Sequence, residues 1–123
     1  MKIVHDLPPF YVEIAQAVGV PPLSAVFTYG DTCYMLTDTG LMSPDLAQHE
    51  MTHMRQQREL AGGPDEWWRA WIADPEFRLD QELEAYRVQY RFRHSVLNHC
   101  AHSLSSMYGL DLKESEARRL ISE

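Results

Sequence analysis

The sequence predicts an α+β fold, mostly helical, with a small β-hairpin or three-stranded sheet placed before a long polar helix. Three observations carry that expectation. Residues 23–29 and 33–37 are β-branched, aromatic or aliphatic and flank Gly30-Asp31-Thr32, the pattern of a hairpin. Beyond residue 43 the chain falls into segments of helical periodicity, punctuated by Gly62-Gly63-Pro64, Asp74-Pro75 and Gly109. With 123 residues, 45% hydrophobic and 24% charged, the composition matches one ordinary globular domain spanning 1–123.

Each element has a local cause. Asp6 caps a first helix entered through Pro8 or Pro9, with Leu7, Tyr11, Ile14 and Val18 on one stripe, and Gly19 with Pro21-Pro22 ends it. Ser43-Pro44-Asp45 is a helix start, combining a hydroxyl N-cap, a proline at the first helical position and an acid that suits the macrodipole. That helix runs to Ala61. A helical turn or two capped by Asp65 carries Trp67, Trp68 and Trp71, and a long helix begins near Phe77. Residues 98–108 and 113–121 form two further helices, with Asp111 and Glu114 as a capping box.

Eleven basic residues against eighteen acidic ones give a formal charge of −7, which disfavours nucleic acid and anionic membrane as partners. Lys2 is the only basic residue before Arg55. The first residues lack a signal-peptide pattern, and no apolar run approaches the ~20 residues of a membrane span, so a cytoplasmic protein is expected. Cys33 and Cys100 stand far apart, which excludes a disulfide framework and a four-cysteine zinc ribbon; both are expected as reduced, buried thiols.

The chemistry gathers in His49-Glu50-Met51-Thr52-His53. Residues four apart on a helix lie one turn above each other, so both imidazoles can meet one cation. Glu50 sits ~100° further round and reaches a water on that cation without being a ligand. At that angular step His49, His53, Leu46, Leu60, Gln56 and Gln57 share one face. Ala47, Met51, Met54 and Ala61 form a second, apolar face, and Gln48, Thr52, Arg55 and Glu59 form a solvent stripe.

A hydrolytic zinc site takes a third protein ligand and leaves the fourth position to water. The long helix offers one. Its core stripe is Leu79, Leu83, Tyr86, Tyr90 and Leu97; Glu82 flanks it at ~60°, against ~100° for Asp80 and ~140° for Glu84. Glu82 is therefore the acid aimed inward, with a flanking salt-bridge carboxylate as its alternative.

His49-Glu50-x-x-His53 followed by Glu82-Leu83-Glu84-Ala85-Tyr86 resembles the gluzincin clan of zinc metallopeptidases, in which a second helix supplies a glutamate ligand within Glu-x-x-Ala-Asp or Glu-x-x-x-Asp. The stretch His53-Met54-Arg55-Gln56-Gln57, the tryptophan-rich turn and the Glu82 helix are also similar to small, largely uncharacterised bacterial and phage zincin-like proteins. The resemblance covers roughly residues 25 to 95. It implies a minimal zincin-like domain holding one Zn²⁺ on His49, His53 and Glu82, with Glu50 as general base for hydrolysis of a peptide or protein by a zinc-polarised water. Tyr86 departs from the clan, which often has an aspartate there orienting a ligand histidine; Tyr86 either accepts that imidazole N–H or packs in the core, and packing is the expectation.

Several residues keep two readings. Tyr11, Tyr29, Tyr34, His94 and nearby arginines are candidates for polarising a carbonyl. The hairpin either offers an edge strand to an extended peptide or roofs the core. Trp67 and Trp71 are expected to fill core between the two metal-bearing helices rather than to wall a substrate site. His5, His94, His99 and His102 are expected as surface or packing histidines, and Arg87, Arg91 and Arg93 as a solvated face. Three readings compete: a small zinc metallopeptidase, a non-catalytic zinc-stabilised protein-interaction module on the same fold, and, last in order, a metal-free structural protein with a chance motif.

Overall fold

Proline, glycine and aspartate punctuation sets most of the architecture seen in a computed structural model, which describes residues 1–38 and 40–123. In chain order the elements are β1 (Lys2–Val4), α1 (Tyr11–Val18), β2 (Val26–Tyr29), β3 (Thr32–Met35), α2 (Pro44–Glu59), α3 (Gly63–Ala73), α4 (Pro75–Phe92), α5 (Leu97–Ser106) and α6 (Glu114–Ser122), with a 3-10 turn at His94–Val96. The mostly helical α+β expectation is thus met.

The sheet has three strands in the order β1-β3-β2. β2 and β3 form the expected hairpin, antiparallel, with Tyr29 opposite Thr32 across Gly30-Asp31. The third strand was open in the sequence and is β1, which runs parallel to β3 with Ile3 opposite Cys33. β2 starts later than residue 23 because the chain turns at Pro22, whose carbonyl accepts from the Ala25 N–H.

Helix starts differ from expectation where a backbone device replaces a side-chain cap. Asp6 accepts only from the Leu7 N–H, and α1 is entered through Phe10 at φ 66°, a left-handed conformation. Ser43 occupies the cap position of α2 without a side-chain bond to a helix N–H, so Pro44 and Asp45 carry that start. α3 begins at Gly63 rather than Asp65, through Gly62 at φ 95°, where an added Cβ would lie 2.7 Å from Glu66 Cβ. Lys113, not Asp111, caps α6. Among the described residues Asp74 alone acts as a side-chain cap, accepting from the Glu76 N–H at the start of α4.

Two apolar clusters form the core. Ile14, Ala25, Phe27, Trp67, Trp68 and Trp71 fill the space between α1, β2 and α3; Tyr86, Cys100, Ala101, Leu104, Ala117 and Ile121 fill that between α4, α5 and α6. Tyr108 packs against both. Arg78, buried on α4, ties them further: its guanidinium donates to the carbonyls of Trp71, Ile72 and Tyr108 and lies over the Trp71 ring. Both cysteines are buried and free, and burial pushes each thiol up to about 12, which makes them inert. No helix among the described residues is long and apolar enough to cross a membrane.

Candidate metal centre

α2 packs more extensively on α4 than any other pair of elements, and the polar residues of the sequence pattern meet at that seam. His49, Glu50 and His53 on α2 and Glu82 on α4 are 3–5% exposed. His53 Nε2 lies 3.1 Å from His49 Nε2, Glu82 Oε1 lies 3.3 Å from His49 Nε2, and Glu82 Oε2 lies 3.2 Å from His53 Nε2. Tetrahedral zinc with bonds of about 2.0–2.1 Å separates its donors by about 3.3–3.4 Å, so these three side chains fit the ion with little movement. Among the described residues they are the one group of histidines, cysteines and acids converging in this way. Glu84, by contrast, points to Arg55 at 2.7 Å.

Glu50 lies beside the triad without joining it. Its Oε2 is 3.9 Å from His49 Nε2, and its Oε1 accepts from the Thr28 hydroxyl of β2 at 3.0 Å. Burial raises the Glu50 carboxyl above its ordinary value, against the lowering pull of the two imidazoles. Burial would raise Glu82 as well, but the His53 and His49 rings outweigh it and hold Glu82 well below the carboxylate range. At His53 burial disfavours the charged ring, yet the Glu82 carboxylate lifts it to about 9.

Both histidines are held from behind by glutamines. His49 Nδ1 meets Gln89 Oε1 at 3.1 Å, and His53 Nδ1 meets Gln56 Oε1 at 2.8 Å. Tyr86 packs, as expected: its ring lies edge-on to His49 with centroids 4.4 Å apart, while its hydroxyl pairs with Tyr108 at 2.6 Å. The second partner of His49 therefore sits one helical turn beyond Tyr86, on Gln89.

The tryptophans do more than fill core. Trp71 Nε1 donates to Glu82 Oε2 at 3.0 Å, Trp67 stacks at a tilt on His53 with centroids 5.2 Å apart, and Trp68 Nε1 donates to the Thr28 carbonyl at 2.9 Å. Gln57 donates to that same carbonyl at 2.8 Å. This outward carbonyl of β2 is thereby occupied, which limits the edge strand available to an extended peptide.

A cavity of about 330 Å³ adjoins the triad, with His49, Glu50, His53 and Glu82 in its lining. Ile14, Val18, Pro22 and Phe27 make it apolar on one side, and His99 and Ser103 of α5 with Met107 and Tyr108 just beyond that helix line it on another. None of Tyr11, Tyr29, Tyr34 and His94 lines it: Tyr11 packs on Phe27, Tyr29 bonds Asp65 and His94 stacks on Tyr90. His99 and Tyr108 were not singled out for this place, because only the packing of α5 and the loop after it brings them there. On α2, Met51 is exposed and Thr52 buried, its hydroxyl turned back to the Gln48 carbonyl, which reverses their expected faces. His102 pairs with Glu114 on the surface, Arg87 with Glu123 and Arg93 with Asp45.

In comparisons with known proteins, no family model, no curated protein and no solved structure matches this chain.

Proposed function

We propose that this chain is a small zinc-dependent metallopeptidase, acting in the cytoplasm on a peptide or protein. The observation that carries the reading is the convergence of His49 Nε2, His53 Nε2 and Glu82 within 4.8 Å of one another, with a second, non-ligating carboxylate on Glu50 beside them. Bound there, zinc supplies Lewis acidity toward a water and a carbonyl oxygen. Glu50 would take the proton from the attacking water and deliver it to the leaving amine; burial, which raises its proton affinity, favours its holding that proton between the two steps. Thr28 holds one Glu50 oxygen, leaving the other directed to the triad. The apolar lining of the adjoining cavity suits an apolar side chain next to the scissile bond. Buried, unreactive thiols and the acidic charge are in keeping with the cytoplasm.

A second reading has its own support. The four polar residues are nearly closed to solvent and the Thr28 carbonyl is occupied, as suits a zinc ion that only stabilises a protein-interaction module. Elemental analysis of the purified chain is expected to find one zinc per molecule. Glu50→Gln is then expected to keep the zinc and abolish cleavage of a peptide library; wild-type protein that holds zinc and cleaves nothing would favour the module.

A further inference from the structure

We propose that Gln56 and Gln89 are positioning residues that lock His53 and His49 in the single neutral tautomer able to receive a divalent metal, each glutamine being oriented in turn by an ion pair at the edge of the seam. The inference rests on reading His49, His53 and Glu82 as a metal centre.

A carboxamide has a donating and an accepting end, and its partners decide which end faces an imidazole. Gln56 Nε2 faces the Gln81 carbonyl at 3.0 Å and Glu84 Oε1 at 2.8 Å, both of which only accept. The nitrogen must occupy that end. Gln56 Oε1 therefore faces His53, and since an amide oxygen only accepts, the ring proton sits on Nδ1. Gln89 repeats the logic: Nε2 donates to Asp45 Oδ2 at 2.8 Å, so Oε1 accepts from His49 Nδ1. Once the rings are neutral, with each remaining proton on Nδ1, the two Nε2 lone pairs point at each other and at Glu82.

The carboxylates that orient the amides are themselves anchored. Glu84 meets Arg55 at 2.7 Å and Asp45 meets Arg93 at 3.5 Å. The two chains run in opposite directions across the seam: Gln56 reaches from α2 to acceptors on α4, and Gln89 reaches from α4 to Asp45 on α2. Both glutamines are buried, at 6% and 3% exposure. Being neutral, they fix a proton without adding charge, so Glu50 and Glu82 remain the two carboxylates that balance a divalent ion.

The test uses the full chain, metal-free and at a pH where the imidazoles are neutral, with ¹⁵N chemical shifts reporting each histidine's tautomer. Zinc affinity is read by competition with a chromophoric chelator. Wild type is expected to show Nδ1–H at both His49 and His53. Gln89→Leu is expected to move His49 toward Nε2–H and to weaken zinc about 10- to 100-fold. The double exchange Gln89→Glu with Asp45→Asn keeps an acceptor at the histidine and a donor at position 45, and is expected to restore both readings; a residue that merely packs would not be rescued in this way. Nε2–H at His49 in wild type, or an unchanged tautomer and affinity in Gln89→Leu, overturns the proposal. Nδ1–H tautomers in a wild-type chain that binds no zinc would support the positioning role and overturn the metal centre instead.

Discussion

The Trp71 indole N–H donates to Glu82 Oε2 at 3.0 Å, so an aromatic side chain of α3 orients the acid that α4 brings to the two histidines. Trp71→Phe keeps the ring and deletes the donor. The buried Glu82 carboxylate would then lack one of its hydrogen bonds, at a cost of about 1–3 kcal/mol. We expect zinc affinity to fall roughly 10-fold, the lower end of what partners of metal ligands contribute. Chelator competition measures the affinity and urea unfolding the stability; unchanged affinity would show that Glu82 is oriented by the histidines alone.

Thr28 is 1% exposed and bonds Glu50 from the opposite side, through a hydroxyl that also lies 3.7 Å from Cys33 Sγ. Thr28→Val is close to isosteric and removes only the donor. Hydrogen bonds to charged groups contribute about 1.5–3 kcal/mol, so peptide cleavage is expected to drop about 10- to 100-fold while zinc content stays the same. Thr28→Ser should recover most of the loss. A Val variant with full activity would mean that α2 alone aims Glu50.

What could be read in the sequence were features with a local cause. Pro44 and Gly62-Gly63-Pro64 bracket α2, Gly30 marks the hairpin, and a spacing of four puts His49 above His53. Glu82 was separable from Asp80 and Glu84 because a helical stripe has a direction, and Glu84 does turn away to Arg55. Strand β1 had no such cause: three residues, Ile3 among them 44% exposed, become a strand only through a parallel partner thirty positions away. Phe10 enters α1 in a conformation that nothing in its neighbours requires. Gln56 shared the histidine face, and a glutamine on an otherwise buried face was the available signal for its role. Gln89 gave none, since its partners His49 and Asp45 come from another helix.

The same cluster sets opposite pH responses with and without metal. In the metal-free chain burial opposes a charged His53, but Glu82 prevails and raises the ring from 6.5 to about 9. A raised histidine contributes stability that is whole below its unfolded value and lost as pH climbs through the folded one. Glu82, held low by the imidazoles despite burial, contributes stability above the ordinary value of 4.5 that is lost in acid. The metal-free chain is therefore expected to lose stability, by up to a few kcal/mol, as pH rises from about 6.5 to about 9. Zinc needs the deprotonated ring, so its added stabilisation should grow over that window. Melting temperatures with and without zinc across the range check both signs; parallel curves would mean that metal and proton do not compete at His53.

Replacing acids one at a time on α4 separates ligand from support. Glu82→Ala removes a donor 3.2–3.3 Å from both imidazoles and leaves two ligands, too few to hold a structural or hydrolytic ion firmly. Its zinc affinity should fall by more than 100-fold, a change of about 2.8 kcal/mol or greater, since each factor of ten is about 1.4 kcal/mol. Glu84→Ala disturbs only the carboxylate that holds Gln56, one step further out, and its loss should stay within about 10-fold. Asp80→Ala touches neither network and should leave affinity unchanged. Titration of the three variants in one chelator series gives the order directly. An equal loss at Glu84 and Glu82 would move the third ligand to Glu84 and require α4 to rotate from its place against α2, whereas no loss at Glu82 would reduce the centre to a pair of histidines sharing a proton.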